Sequence, residues 1–275
     1  MRWFCGLWCF LVLTCFCWGQ STSTDEYFFR GEIFKLKTVS FEGSDVLSLE
    51  DAEVKRLIAT TAARLQFSTS GDTLYVYLPG RESSWTNGLA VYSRDGVERE
   101  APGRFFARPA TMEPAALLDA LGLRAYPVNG GFQLASLITK VSQVRPDSLE
   151  MQILTSAPLK HVVTEPELGV VRVELPGAAW GGAERKFRLG EADVEVLGGD
   201  KAGLPVMMEF RFLPFWTAHV KLGLTRELLV RPEPRHFTPP AEQAQLSEVR
   251  ILGKEVEFVF DRPVQFFWAL QDQRL

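Results

Sequence analysis

The sequence predicts a mainly β protein: an α+β N-terminal domain, then an antiparallel β-sandwich, then the opening of a truncated second β unit. Three observations carry this expectation. Across residues 138–231, short alternating apolar runs follow one another, with turn residues between them and no helical period. That is the pattern of a sandwich or barrel. Before residue 138, only two stretches read as helices, one opened by a capping pattern at Ser48 and Asp51 and one started near Thr111 and stopped by Gly122. Beyond a proline-rich stretch at 232–244, the pattern that opened at residue 138 starts again.

Behind Met1, Arg2 opens an apolar run containing Trp3, Phe4, Leu7, Trp8, Phe10 and Leu11, which closes on Cys17 and Gly19. Small residues at −3 and −1 of a cut before Gln20 make residues 1–19 a predicted secretory signal peptide, short for a membrane span. Retention as an N-terminal anchor is the alternative. All four cysteines, Cys5, Cys9, Cys15 and Cys17, lie inside this leader. The expectation is an exported protein, periplasmic or associated with the cell wall, with no disulfide framework and no thiol chemistry. No later apolar run approaches membrane length, so no transmembrane segment is expected after cleavage.

In the N-terminal domain, residues 26–137, the alternation of Ile33, Leu36, Val39 and Phe41 predicts strands. Ser48, with Asp51 three residues on, reads as the cap of a short amphipathic helix carrying Leu49, Ala52, Leu57 and Ile58. Residues 65–67 and 74–78 follow as strands around a turn at Ser70-Gly71-Asp72. Asp95-Gly96 is a hairpin turn signal. A second helix is expected over residues 115–121, capped by Thr111, with Pro114 in its first turn and Gly122 ending it. Residues 126–137, broken by Asn129-Gly130-Gly131, read as a hairpin.

The sandwich, residues 138–231, is expected to contain strands near 140–144, 148–154, 159–164, 170–175, 185–189, 193–197, 206–212, 217–222 and 227–231. Residues 232–244, with Pro232, Pro234, Pro239 and Pro240, read as a stiff linker. In the last segment, residues 245–275, Leu246 to Arg250 parallels Ile138 to Ser142, and Glu255 to Phe260 parallels Leu149 to Leu154. Arg262-Pro263-Val264 parallels Ala157-Pro158-Leu159. This spacing predicts a partial domain repeat. The repeat ends within its third or fourth strand, and the expectation is the N-terminal part of a longer protein.

Residues 138–231 resemble the AMIN (amidase N-terminal) domain of periplasmic cell-wall amidases and secretin-type pilus proteins. The likeness lies in Ile138-x-x-Val141, the strand closing on Ala157-Pro158-Leu159, and Pro166 followed by Val170-Val171-Arg172-Val173-Glu174-Leu175-Pro176-Gly177. Glu174 stands where the family commonly has Asp, and Pro166 lies further from Arg172 than is usual. Residues about 30–137 resemble the copper amine oxidase N-terminal-like domain of exported wall proteins, closest at Ala116 to Leu123. That domain carries no copper site. Together the resemblances imply a non-catalytic module that binds peptidoglycan or another envelope glycan, with envelope proteins as further partners.

Composition and chemistry narrow the function classes. A formal net charge of −4 offers no basic footprint, so a nucleic-acid partner is not expected. His161, His219 and His236 have no partner at ligand spacing, so no metal or cofactor is expected. No Gly-x-Ser-x-Gly occurs, and Gly181-Gly182 and Gly198-Gly199 are not phosphate loops. The carboxylate pairs Glu50/Asp51, Glu165/Glu167 and Glu191/Asp193 could serve a glycosidase, but fit solvated faces and caps better. No catalytic residue is therefore assigned. The candidate ligand-binding residues are Arg172, whose guanidinium suits a carboxylate or a sugar, and the turn aromatics Trp180, Phe215 and Trp216, whose rings suit stacking on glycans. The expected function is an exported envelope binding or targeting module. The alternatives are a carbohydrate-active hydrolase (an amidase or a phosphodiester glycosidase) whose catalytic domain lies beyond residue 275, or an envelope assembly scaffold.

Overall fold

The computed structural model describes residues 22–144, 149–158, 160–201, 203–223, 227–235, 246–252 and 255–260. The predicted leader, His236 and residues 261–275 lie outside them. The described chain is mainly β. In chain order its first half contains β1 (Thr22–Phe29), β2 (Glu32–Phe41), β3 (Ser44–Ser48), α1 (Ala52–Thr60), β4 (Arg64–Phe67) and β5 (Thr73–Leu78). There follow β6 (Arg81–Thr86), β7 (Val91–Arg94), β8 (Val97–Glu100), β9 (Phe105–Ala107), β10 (Ala110–Met112), α2 (Pro114–Ala120) and β11 (Leu123–Val128). The long strand β12 (Gly131–Gln143) leads into β13 (Met151–Thr155), β14 (Val162–Glu167), β15 (Val170–Leu175), β16 (Ala178–Trp180), β17 (Lys186–Leu189) and β18 (Ala192–Gly198). The remaining strands are β19 (Val206–Arg211), β20 (Trp216–Leu222), β21 (Glu227–Pro234), β22 (Leu246–Leu252) and β23 (Glu255–Phe260).

Four sheets result. The largest runs β20-β21-β13-β12-β1-β2-β3-β10-β9, with β11 and β16 also paired to β12. The strands β4 to β8 form a meander in sequence order, β14-β15-β19-β18-β17 forms a five-stranded sheet, and β22-β23 stands as a hairpin by itself. Pairing is antiparallel except for β1 and β16, which lie parallel to β12. The hairpin predicted at Asp95-Gly96 forms between β7 and β8, with both residues at positive φ, 52° and 78°. A two-residue turn of that shape matches the twist of its strands.

Both helices occur where expected, but their caps differ. Asp51, not Ser48, is the N-cap of α1, its side chain accepting from the Glu53 and Val54 amides at 2.8 and 3.3 Å. Ser48 belongs to β3, and its hydroxyl accepts from the Glu50 amide. Thr111 lies in β10; the N-cap of α2 is Glu113, which makes no side-chain cap bond, and Pro114 follows at the first helical position. In each case an adjacent strand claimed the residue that the local signal favoured. Gly122 does end α2, at φ +64°, and an added Cβ would lie 2.7 Å from Ser156 Cβ.

Among the described residues two large hydrophobic cores form, with a small third cluster of Ala135, Leu137 and Ala179. The first packs Phe34, Leu36 and Leu47 of the large sheet against Leu74, Val76 and Trp85 of the meander, with Leu57 of α1 and Leu117 of α2 filling between. The second packs Ile138, Ile153 and Val230 of the large sheet against Val173, Met208 and Phe210 of the five-stranded sheet. The strand β12 serves both, running unbroken through residue 138, where the sequence suggests a boundary. Tyr126 ties the halves further: its hydroxyl lies 3.0 Å from the Gly199 carbonyl.

A charged cluster fastens the meander to α2. Arg81 of β6 and Arg94 of β7 both donate to the Asp119 carboxylate, at 2.9 and 2.7 Å, and Arg94 also reaches the Tyr92 hydroxyl. Tyr92 stacks on Trp85 with ring centroids 4.2 Å apart. Burial lowers the Arg81 pKa, with Asp119 opposing it; burial, then the Asp119 charge, raises that of Tyr92.

Residues 232–234 are not linker: they extend β21 along β20, with Pro232 opposite Ala218 and Pro234 opposite Trp216. Beyond Val230 the neighbour β13 ends, so β21 has β20 on one side only. Prolines at alternate positions there need cost no ladder hydrogen bond.

The hairpin β22-β23 repeats β12-β13 in detail. The β12 ladder breaks register between Ile138 and Lys140, and the β22 ladder between Leu246 and Glu248. These are the positions the sequence aligns. Counting onward, Val249 pairs Phe258 as Val141 pairs Ile153. Phe258 thus corresponds to Ile153, one residue later than the sequence alignment places it. Ile138 and Ile153 are buried under the five-stranded sheet, with Val141 packed beside them, whereas Leu246, Val249 and Phe258 are exposed.

Candidate functional site

Strand alternation sorts the five-stranded sheet into two faces. On β19, Val206, Met208 and Phe210 enter the core, which leaves Glu209 and Arg211 on the outer face. On β15 the same period turns Arg172 outward between Val171 and Val173. Register then assembles a row across four strands: Arg172 opposite Glu209, Glu209 opposite Glu195, and Glu195 opposite Lys186. The next row places Arg211 opposite Asp193 and Asp193 opposite Arg188.

Glu209 is the hub of this face. It is only 3% exposed, yet both carboxylate oxygens are engaged: Arg172 Nε lies 2.7 Å from Oε2, and Arg211 Nη2 contacts Oε1. The hydrogen bond from Arg172 holds the Glu209 carboxyl below the usual carboxylate range; burial opposes this, and the Arg211 charge assists it. Glu209 is therefore an anion at neutral pH and not a proton donor. Arg172 and Arg211 are 39% and 59% exposed, and each keeps guanidinium donors unused by any described residue. Beside them a hollow of about 510 Å3 is lined by Glu195, Lys186, Arg188, Asp193, Phe187 and Arg211, among others.

The remaining sequence candidates separate. Trp180 is 5% exposed in the second core, edge-on to Phe187, and its indole N–H has no partner among the described residues. That burial takes it out of any surface site; its strand β16 lies inside the large sheet against β12, so the ring points into the core. Phe215 and Trp216 are half-buried at the turn into β20, where the Phe215 carbonyl accepts from the Arg235 amide. Trp216 lines a second, apolar groove of about 330 Å3 with Leu149, Phe212, Leu213, Pro232 and Glu191. Arg172 and Trp216 thus belong to different surfaces. Sequence reasoning found Arg172 but missed Glu209 and Arg211. The signal was present in the alternation of Val206-Met207-Met208-Glu209-Phe210-Arg211, a carboxylate and a cation two residues apart on an outward face.

The carboxylate pairs considered for catalysis are mostly engaged. Asp51 caps α1, Glu50 meets Lys55, Glu165 joins Arg235 and Thr217, and Asp193 pairs with Arg188. Among the described residues no group of three or more His, Cys, Asp or Glu side chains is placed to hold a metal ion, and no helix is long and apolar enough to cross a membrane.

No protein-family model matches the chain, and no curated protein matches it. A solved structure described as a hypothetical protein from Synechocystis is similar at 13% identity and a TM-score of 0.28. The likeness covers 80% of this chain but 36% of that one, and at this TM-score it carries no argument about fold or function.

Proposed function

We propose that the chain is an exported, non-catalytic module that binds the bacterial cell envelope, with peptidoglycan as its ligand. The observation that carries this reading is the Glu209 hub, which presents Arg172 and Arg211 on an open face beside a 510 Å3 hollow. A buried carboxylate that bonds two guanidinium groups restricts their rotamers before any ligand arrives, and pre-organised donors lose less entropy on binding. Peptidoglycan offers the matching acceptors, in its sugar hydroxyls and peptide carboxylates. The ring of Trp216 is a second contact suited to stacking on a sugar face.

The test is sedimentation of the chain from Gln20 onward with insoluble peptidoglycan, against a chitin control. Retention on peptidoglycan that weakens on Arg211→Ala supports the reading. Equal retention on both polymers, or on neither, removes it. The exposed apolar face of β22-β23 favours a second reading, an envelope assembly scaffold, which concentration-dependent sedimentation velocity would reveal.

A further inference from the structure

We propose that the hollow beside Glu209 recognises a dipolar amino-acid group of the ligand: a free carboxylate held on Arg211 and a neighbouring ammonium or N–H on Glu195. This rests on the peptidoglycan reading and names the part of that polymer that is read, the peptide stem and not the sugar backbone.

The argument begins with charge. Around the hollow stand Lys186, Arg188 and Arg211 against Glu184, Asp193, Glu195 and Glu209, with Arg172 behind Glu209. Four cations face four anions. Such a face has no net field to attract a polyanion, so a phosphate-rich polymer gains little here. What it has is local alternation at fixed spacing, which a ligand carrying both signs can match and a neutral sugar cannot.

Geometry selects the contacts. Glu209 is committed to its two arginines, so its charge is already answered. Arg211 has the more open guanidinium of the pair, at 59% exposed, and among the described residues its one ion-pair partner is Glu209, on one edge. Its other edge is a fork suited to a second carboxylate. Among the described residues Glu195 is held only by Lys186 at 3.9 Å, a contact too long for a hydrogen bond, which leaves its oxygens open to a donor. Glu195 is opposite Glu209, and Arg211 lies two residues along that strand. Diagonal neighbours of this kind are about 7–8 Å apart. These are backbone spacings, and a diamino acid, whose carboxylate and side-chain ammonium are set several carbons apart, can bridge two side chains rooted at such positions.

The experiment is titration of the chain from Gln20 onward, followed by calorimetry, with three probes. These are a synthetic stem tripeptide ending in a diamino acid with free carboxylates, the same peptide with its carboxylates amidated, and inorganic phosphate. The expected result is binding of the free peptide with loss of about 10-fold or more on amidation, the scale of one charge-assisted hydrogen bond. Arg211→Ala gives a similar loss and Arg211→Lys recovers little of it, since the fork and not the charge is required. Glu195→Gln weakens the free peptide but leaves circular dichroism unchanged. Equal binding of free and amidated peptide overturns the proposal. So does phosphate competing as well as the peptide, which would make the site a general anion patch. No peptide binding alongside persistent, Arg211-dependent sedimentation with peptidoglycan overturns the dipolar site and leaves the wall-binding reading standing. Peptide binding without sedimentation does the reverse.

Discussion

Replacing Asp119 by alanine removes a carboxylate that two guanidinium groups share. The Arg81 side chain is only 6% exposed and donates to Asp119 Oδ2 at 2.9 Å, while Arg94 donates to both oxygens at 2.9 and 2.7 Å. Without Asp119, Arg81 keeps a bond to the residue-119 carbonyl, and Arg94 keeps the Tyr92 hydroxyl. Neither partner neutralises a cation. The Nε atoms of both arginines are already buried without an acceptor among the described residues, and none of these stands ready as a further partner. Removing one member of a buried ion cluster costs about 3–5 kcal/mol, because it strands charge in a medium of low polarity. The partial exposure of Asp119 and Arg94, 22% each, places the expected loss near the lower figure. Urea unfolding followed by tryptophan fluorescence reads this, since Trp85 stacks on Tyr92 at the cluster. At an m-value of roughly 3 kcal/mol/M the midpoint falls by about 1 M. A control separates stranded charge from lost packing: replacing Arg81, Arg94 and Asp119 together by Met, Met and Leu should restore most of the loss, as apolar replacement of buried ion clusters often does. A fall of less than about 1 kcal/mol for Asp119→Ala, or a triple variant less stable than the single, would falsify the reasoning.

Four other outcomes are expected. Trp180→Ala costs about 3–5 kcal/mol by emptying the second core, whereas Trp216→Ala costs under about 1 kcal/mol, and thermal melts of the two variants rank them. Glu209 has a lowered pKa when folded, so its stabilising contribution is fully present above the ordinary carboxylate value and is lost as pH falls below it; Glu209→Gln should flatten the stability profile below about pH 4.5, and an unchanged slope there counts against the hub. Gly122→Ala destabilises by about 1–3 kcal/mol, because its φ of +64° strains an L side chain and the added methyl meets Ser156 and Leu78; a neutral result in denaturant titration would contradict this. Amides of β22 and β23 exchange with deuterium orders of magnitude faster than those of β12, since a two-stranded hairpin with an open apolar face is marginal in water; equal protection would mean that face is covered.

The sequence by itself determined what depends on local sterics and short periods. Alternation set the strands, because neighbouring side chains on a strand point to opposite faces. Asp95-Gly96 set a turn and Gly122 a helix end, because those backbone angles exclude most residues. It also revealed that Leu246 to Phe260 echoes Ile138 to Leu154, though one residue out of register in the second strand. Only the tertiary structure decided partnership over distance. Arg81, Arg94 and Asp119 lie up to 38 residues apart, and Arg172 and Glu209 are 37 apart. Nothing in the local chemistry of either residue names the other. The two tryptophans make the same point: Trp180 and Trp216 both follow turn-like sequence, yet pairing with β12 drove one into the core, while the other remained beside a groove. Burial is a property of what packs on top. For a strand residue that is set by register and sheet order, which are long-range quantities, and a string of nearest neighbours does not contain them.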